Sequence, residues 1–265
     1  MATPAFVSRR AALTGAAAAT ALALAPSSGR AQTAGTTVFA DPSLKPVLQS
    51  LLPTVQKTAG LSLMVAFGEA SGAAGRTGSL VHDVIIVAGA GNMARLVDAG
   101  QVEPPTDLLT NGLALVAAPG RAAPDAVRRG MDLTAWVDRD APLALVDPAA
   151  NSIGETSLDA LRALGWGEGV SRRVVLAPGP STVLDWVAHD EAALGVALAN
   201  AARHDTRVRV VGAFPPGTST PVLYQVAVRA GTPVDAPARR FVHALYSEAA
   251  HEAFRADGLV PLVAR

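Results

Sequence analysis

The chain has 265 residues, half of them hydrophobic, with 22 basic and 22 acidic side chains and no cysteine. A balanced charge gives no basic surface for nucleic acid, and the lack of cysteine excludes disulfides and thiolate chemistry. Aromatic residues are only 4% and charged residues 17%, which suits a layered α/β protein packed from Ala, Val and Leu.

The N-terminus opens with Ser8-Arg9-Arg10-Ala11-Ala12-Leu13, an uncharged run from Thr14 to Pro26, and small residues ending at Ala31. This reads as a twin-arginine export signal over residues 1–31, so the product is expected in the periplasm. The apolar run Ala16 to Ala25 is too short to span a hydrocarbon core of about 30 Å, and membrane insertion is not expected. Removing the signal takes away Arg9, Arg10 and Arg30 but no acid, so the remainder is slightly negative.

After this leader, short apolar strands alternate with amphipathic helical stretches. The first series runs Thr37–Ala40, Leu44–Thr58 (helical), Leu61–Phe67, Asp83–Ala88 and Met93–Ala99 (helical). A Pro-containing connection, Val102–Asp107, leads to the strand Leu113–Ala117. A second series follows: Leu143–Val146, Ser157–Leu164 (helical), Val174–Leu176, Val183–His189 (helical), Ala192–Ala197 and Val208–Gly212. The chain then passes through Phe214-Pro215-Pro216-Gly217 into the strand Val222–Val228 and ends in a helix over Pro237–Ala256. Such alternation predicts βαβ units in two α/β lobes.

Enzymatic motifs are weak. The five histidines never take a metal-binding spacing, and Ser181 in Gly179-Pro180-Ser181-Thr182 lacks the closing glycine of a hydrolase elbow. His189-Asp190-Glu191 and His204-Asp205 read as solvated helix ends. Gly89-Ala90-Gly91-Asn92-Met93-Ala94 has the glycine spacing of a dinucleotide loop, which would make a periplasmic Rossmann-type oxidoreductase of the chain. It lies after the wrong strand and lacks the acid expected about 20 residues on, so a tight strand-to-helix turn is the better reading. No catalytic role and no cofactor are expected.

Several strand-to-helix junctions are instead rich in small and hydroxyl residues: Asp41-Pro42-Ser43-Leu44, Gly68-Glu69-Ala70-Ser71-Gly72, Asn151-Ser152-Ile153-Gly154 and Pro180-Ser181-Thr182. Free N–H groups and hydroxyls at helix starts can hold an ionised oxyanion without a positive side chain, although helix capping alone also explains such serines.

On four segments the chain resembles the periplasmic molybdate-binding proteins, the solute-capturing components of molybdate ABC transporters. These are Thr37–Leu44, Asp83–Ala88, the stretch Ala144 to Leu161 with Asp147-Pro148 and Gly154, and Val210–Pro215 followed by Val222–Val228. The resemblance implies a type II periplasmic-binding-protein fold, two lobes with mostly parallel sheets joined by two crossing strands near Gly112–Val116 and Leu223–Ala227. Residues 32–113 and 225–265 would form lobe 1, and residues 114–224 lobe 2. It further implies a monomer that captures molybdate or tungstate and delivers it to an ABC permease. The anion would be bound through its oxygens, with no direct metal ligand, by Ser43, the Ala70-Ser71 loop, backbone at Ile153, Ser181 and Tyr224.

The sequence departs from the family pattern at four places. Ala70 stands where the family has its second ligand serine, with Ser71 one position on, and Ile153 replaces a small residue. Pro180 falls near a backbone donor, so Ser181 or Thr182 must substitute, and Gln225 replaces the proline after the tyrosine. These changes keep open a different ligand, another oxyanion or a small organic acid, with Arg76 or Gln225 as an added donor.

Overall fold

The computed structural model describes residues 35–70, 73, 80–166 and 170–263; residues 1–31, read as an export signal, and Ser71 and Arg76 lie outside them. In chain order the elements are β1 (Thr36–Ala40), α1 (Lys45–Ala59), β2 (Leu63–Phe67), β3 (Val84–Ala88), α2 (Ala90–Asp98), β4 (Thr106–Asn111) and β5 (Leu113–Ala117). Next come β6 (Leu143–Val146), α3 (Ser152–Ala163), β7 (Val174–Ala177), α4 (Pro180–Ala188), β8 (Leu194–Leu198), α5 (Ala199–His204) and β9 (Arg209–Ala213). The chain finishes with β10 (Val222–Val228), α6 (Asp235–Ala244), α7 (Glu248–Ala256) and β11 (Val260–Pro261).

Two sheets result, with orders β11-β4-β10-β3-β1-β2 and β7-β6-β8-β5-β9. Strands linked through helices pair in parallel, as β2 with β1, β1 with β3, and β7 with β6 and β6 with β8. The strands that carry the chain between sheets, β4, β5, β9 and β10, pair antiparallel with their neighbours. Strands β3, β5 and β8 are apolar without alternation and fully buried, as expected where both faces of a sheet are covered.

Three expectations need correction. The connection Val102–Asp107 is partly strand: Thr106 and Asp107 open β4, which lies between β10 and β11 and buries Leu108 and Leu109. Its sequence, Thr-Asp-Leu-Leu-Thr-Asn, has only two apolar residues, so pairing with two neighbours decides its state. The single terminal helix is two, because Ser247 adopts an extended backbone and its Oγ caps α7, accepting from the Ala250 N–H at 3.3 Å.

The lobe boundaries also shift. The outward crossing is at Gly112, between β4 and β5, since Leu113 already pairs with Leu198 in the second sheet. The return crossing is the 214–221 loop. Leu223–Ala227 belongs to β10, which pairs with β3 and β4 in the first sheet, Tyr224 opposite Ala88 and Leu109. Residues 222–224 therefore belong to the first lobe and Leu113 to the second, because a strand joins a sheet along its whole paired length.

Candidate functional site

The site begins where β1 ends. The chain turns through Asp41 into a single 3-10 turn, Pro42–Leu44, before α1, and Asp41 Oδ1 accepts both the Ser43 N–H at 3.0 Å and the Ser43 hydroxyl at 2.6 Å. Because that hydroxyl donates to Asp41, its oxygen accepts from Tyr224 OH at 2.7 Å. Tyr224, on β10, is completely buried, and its oxygen in turn accepts from Asn111 Nδ2 at 3.2 Å. The second Asn111 amide hydrogen goes to Asn200 Oδ1 at 2.7 Å. Asn200, at the start of α5, donates to the Ser43 carbonyl at 2.8 Å and to Asp257 Oδ2 at 3.0 Å. Asp257 also pairs with His204.

These hydrogen bonds run outward in two directions from the Asn111 amide, through Tyr224 and Ser43 to Asp41 and through Asn200 to Asp257, and couple both lobes at the crossing. Burial raises the pKa of Asp41 to about 6, against the pull of the Ser43 hydroxyl, and the nearby Glu69 charge raises it further. Burial likewise drives the Tyr224 phenol upward, with the Asp41 charge adding to the effect. The hydroxyl is thus held as a neutral donor.

A second set of contacts between the lobes is made at helix starts. Asn151 caps α3, its Oδ1 accepting from the Ile153 N–H at 3.0 Å and from Asn92 Nδ2 at 2.9 Å. Asn92, in the first turn of α2, accepts from the Ser152 N–H at 3.3 Å, and Arg95 reaches the Ala150 carbonyl at 2.6 Å. These contacts join the lobes. Gly89 has a φ of 87°, and a Cβ there would collide with Ser152 Oγ. The Gly89–Gly91 segment is therefore a tight strand-to-helix turn filled by Ser152, with no room for a dinucleotide phosphate.

Helix α4 starts with Pro180, which has no N–H, so its first backbone donor is Ser181. That N–H goes to Glu69 Oε1 at 3.0 Å, a carboxylate delivered from the other lobe by the loop after β2. Gly179 makes room for it, since a Cβ would stand 2.7 Å from Glu69 Cδ.

Of the residues put forward from sequence, Ser43 and Ser181 come together, lining one cavity of about 440 Å³ with Lys45, Leu184, His204 and Arg207. Tyr224 touches Ser43 but lies behind it with no exposed surface. Ile153 is buried and its N–H is taken by the Asn151 cap. Ala70 packs beside the apolar cluster under α2, and Gln225 bonds Asp107 on the first sheet. His204 ends α5 exposed, as read, and also pairs with the buried Asp257.

Reasoning from sequence missed Asn111, Asn200 and Glu69. Asn200 stands alone in the apolar run Val196–Ala202, and Asn111 follows Thr110 within the mostly apolar stretch Leu108–Leu115; a buried amide there must find partners, and that was a readable signal. Nothing local marked Glu69. Among the described residues no group of three His, Asp or Glu side chains is placed to hold a metal, and no helix is long and apolar enough to cross a membrane.

Two sheets of this order, joined by two crossings around a cleft of helix starts, define a two-lobed solute-binding protein of the periplasmic-binding-protein fold. The chain belongs to the bacterial extracellular solute-binding protein family, whose model matches residues 36–260. No functionally curated protein matches its sequence. Among solved structures it is similar to the periplasmic molybdate-binding protein of Azotobacter vinelandii, at 19% identity over 85% of this chain and 98% of that one, with a TM-score of 0.67. It is also similar to the sulfate-binding protein SubI of Mycobacterium tuberculosis H37Rv, at 18% identity over 86% and 87%, TM-score 0.66. A third is Peb3 of Campylobacter jejuni with bound L-phospholactate, at 12% identity over 85% and 99%, TM-score 0.65.

Proposed function

We propose that this protein is exported through the twin-arginine route to the periplasm, where, as a monomer, it captures a small tetrahedral oxyanion, molybdate or tungstate first, for an ABC permease. The observation that carries this reading is the interlobe cavity, where Ser43 and Ser181 meet beneath Lys45 and His204. The Ser181 hydroxyl, Lys45 and Arg207, the last paired with Asp185 and Asp205, line this cavity; such donors suit a fully ionised oxyanion, and a protonated phosphate would set donor against donor. The molybdate- and sulfate-binding structural neighbours lend support. In this site Tyr224 orients the Ser43 hydroxyl from behind.

A second reading, capture of a small organic acid, is favoured by the size of the cavity. About 440 Å³ lies within the range of organic ligand pockets, and Peb3 holds L-phospholactate on the same fold.

Thermal unfolding against molybdate, tungstate, sulfate, phosphate, phospholactate and small carboxylates tests both. A ligand at about 100 times its Kd stabilises by about 2.7 kcal/mol, which at this chain length is a rise of roughly 5–11 °C. A rise with molybdate and tungstate supports the first reading, and one with an organic acid alone replaces it by the second.

A further inference from the structure

Glu69 stands out because it places a carboxylate where an anion-binding cleft should welcome a solute. It leaves the first lobe on the loop after β2, crosses the cleft and accepts the first available N–H of α4, that of Ser181, at 3.0 Å. Residue 179 has no side chain to block the approach: a Cβ would lie 2.7 Å from Glu69 Cδ and 2.9 Å from Oε2. Ser181 also lines the cavity that holds Ser43 and Lys45. A second carboxylate, Asp41, sits on the neighbouring loop, close enough for the charge on Glu69 to oppose its ionisation.

We propose that Glu69 is a specificity-determining residue that acts as an internal stand-in for the solute's acidic group, occupying the start of α4 until the solute displaces it. This rests on the reading of the cavity as an anion site. Two consequences follow from charge. A bound solute must take the Ser181 N–H from a tethered carboxylate, which is present at high effective concentration without diffusing. While Glu69 stays near, the solute also meets its repulsion together with that of Asp41, so weakly charged or poorly accepting solutes fail to enter. The residue thereby sets a threshold for affinity and selects strong acceptors.

The test compares wild type, Glu69→Ala and Glu69→Gln by calorimetric titration with molybdate, sulfate and phospholactate, while the Ser181 amide is followed by NMR without ligand. Glu252→Ala, which removes an exposed carboxylate on α7, controls for net charge. The Ala variant should bind whichever of these anions the wild type binds about threefold to tenfold more tightly, with Gln between them and Glu252→Ala unchanged. In the ligand-free Ala variant the Ser181 amide should shift from its wild-type position and return toward it on adding the anion. Unchanged or weaker binding by Glu69→Ala, or an unmoved Ser181 amide, overturns the proposal while leaving the oxyanion reading intact. Binding of no anion by any form sinks the oxyanion reading and the competition with it.

Discussion

The helix starts of the two lobes meet the same chemical demand, N–H groups without intrahelical partners, with caps of different kinds. At Ser43 the cap is Asp41, two residues away and inside the protein, and at α3 it is Asn151, the residue before the helix. At α4 the cap is Glu69, which stands 112 residues away in sequence and on the opposite lobe. A cap supplied by its own segment forms with the helix and stays with it. One supplied across a cleft lasts only while the lobes keep their spacing, so of these caps the one on α4 depends on the lobes.

That contrast can be broken by removing each cap in turn. The largest effect is expected at Asp41. Its native pKa of about 6 lies above the ordinary value of 3.8, so the native state holds the proton more tightly than the unfolded chain does. Stability from this residue is therefore complete below about pH 4 and is lost as pH rises to 6. Asp41→Asn keeps an acceptor for Ser43 and removes the charge, so it should stabilise by about 3 kcal/mol at pH 8 and be near neutral at pH 4. Urea unfolding at the two pH values checks this, and an equal difference at both would show that Asp41 is ionised without penalty.

Asn151→Ala comes next. It removes the α3 cap and a partner of Asn92, and should lower stability by about 1–2 kcal/mol at either pH. If the loss is much smaller, α3 is capped by water and the interlobe contact at Asn92 is weak. The smallest change in stability should come from Glu69→Ala, within about 0.5 kcal/mol, as for other exposed polar contacts. A loss comparable to that of Asn151→Ala would make Glu69 a permanent cap and erase the difference between the helix starts.

The polar chain from Asp41 to Asn200 shows how far the site was legible. Ser43 stood out as a hydroxyl just before a helix, after an apolar strand, where either capping or an anion can use it. Tyr224 was picked out by family resemblance as a direct ligand, yet it stands fully buried with its hydroxyl against Ser43. Its role depends on β10 lying beside β3 with Tyr224 opposite Ala88, a register set by two strands far apart in the chain. Glu69 was indistinguishable from any loop acid, because the helix it caps belongs to the other lobe.

By itself the sequence determined the two α/β series, most strands and helices and the glycine turn at Gly89, since apolar periodicity and local backbone preferences act within a few residues. Ser43 and Ser181 were named together by the family resemblance, and both line the interlobe cavity. Tertiary structure alone decided that Thr106–Asn111 is a strand, that the return crossing precedes β10 and that Asn111 and Asn200 bridge the lobes. The same holds for the carboxylate at the start of α4. Each of these is a contact between distant segments, and its free energy exists only once the two lobes have been brought together.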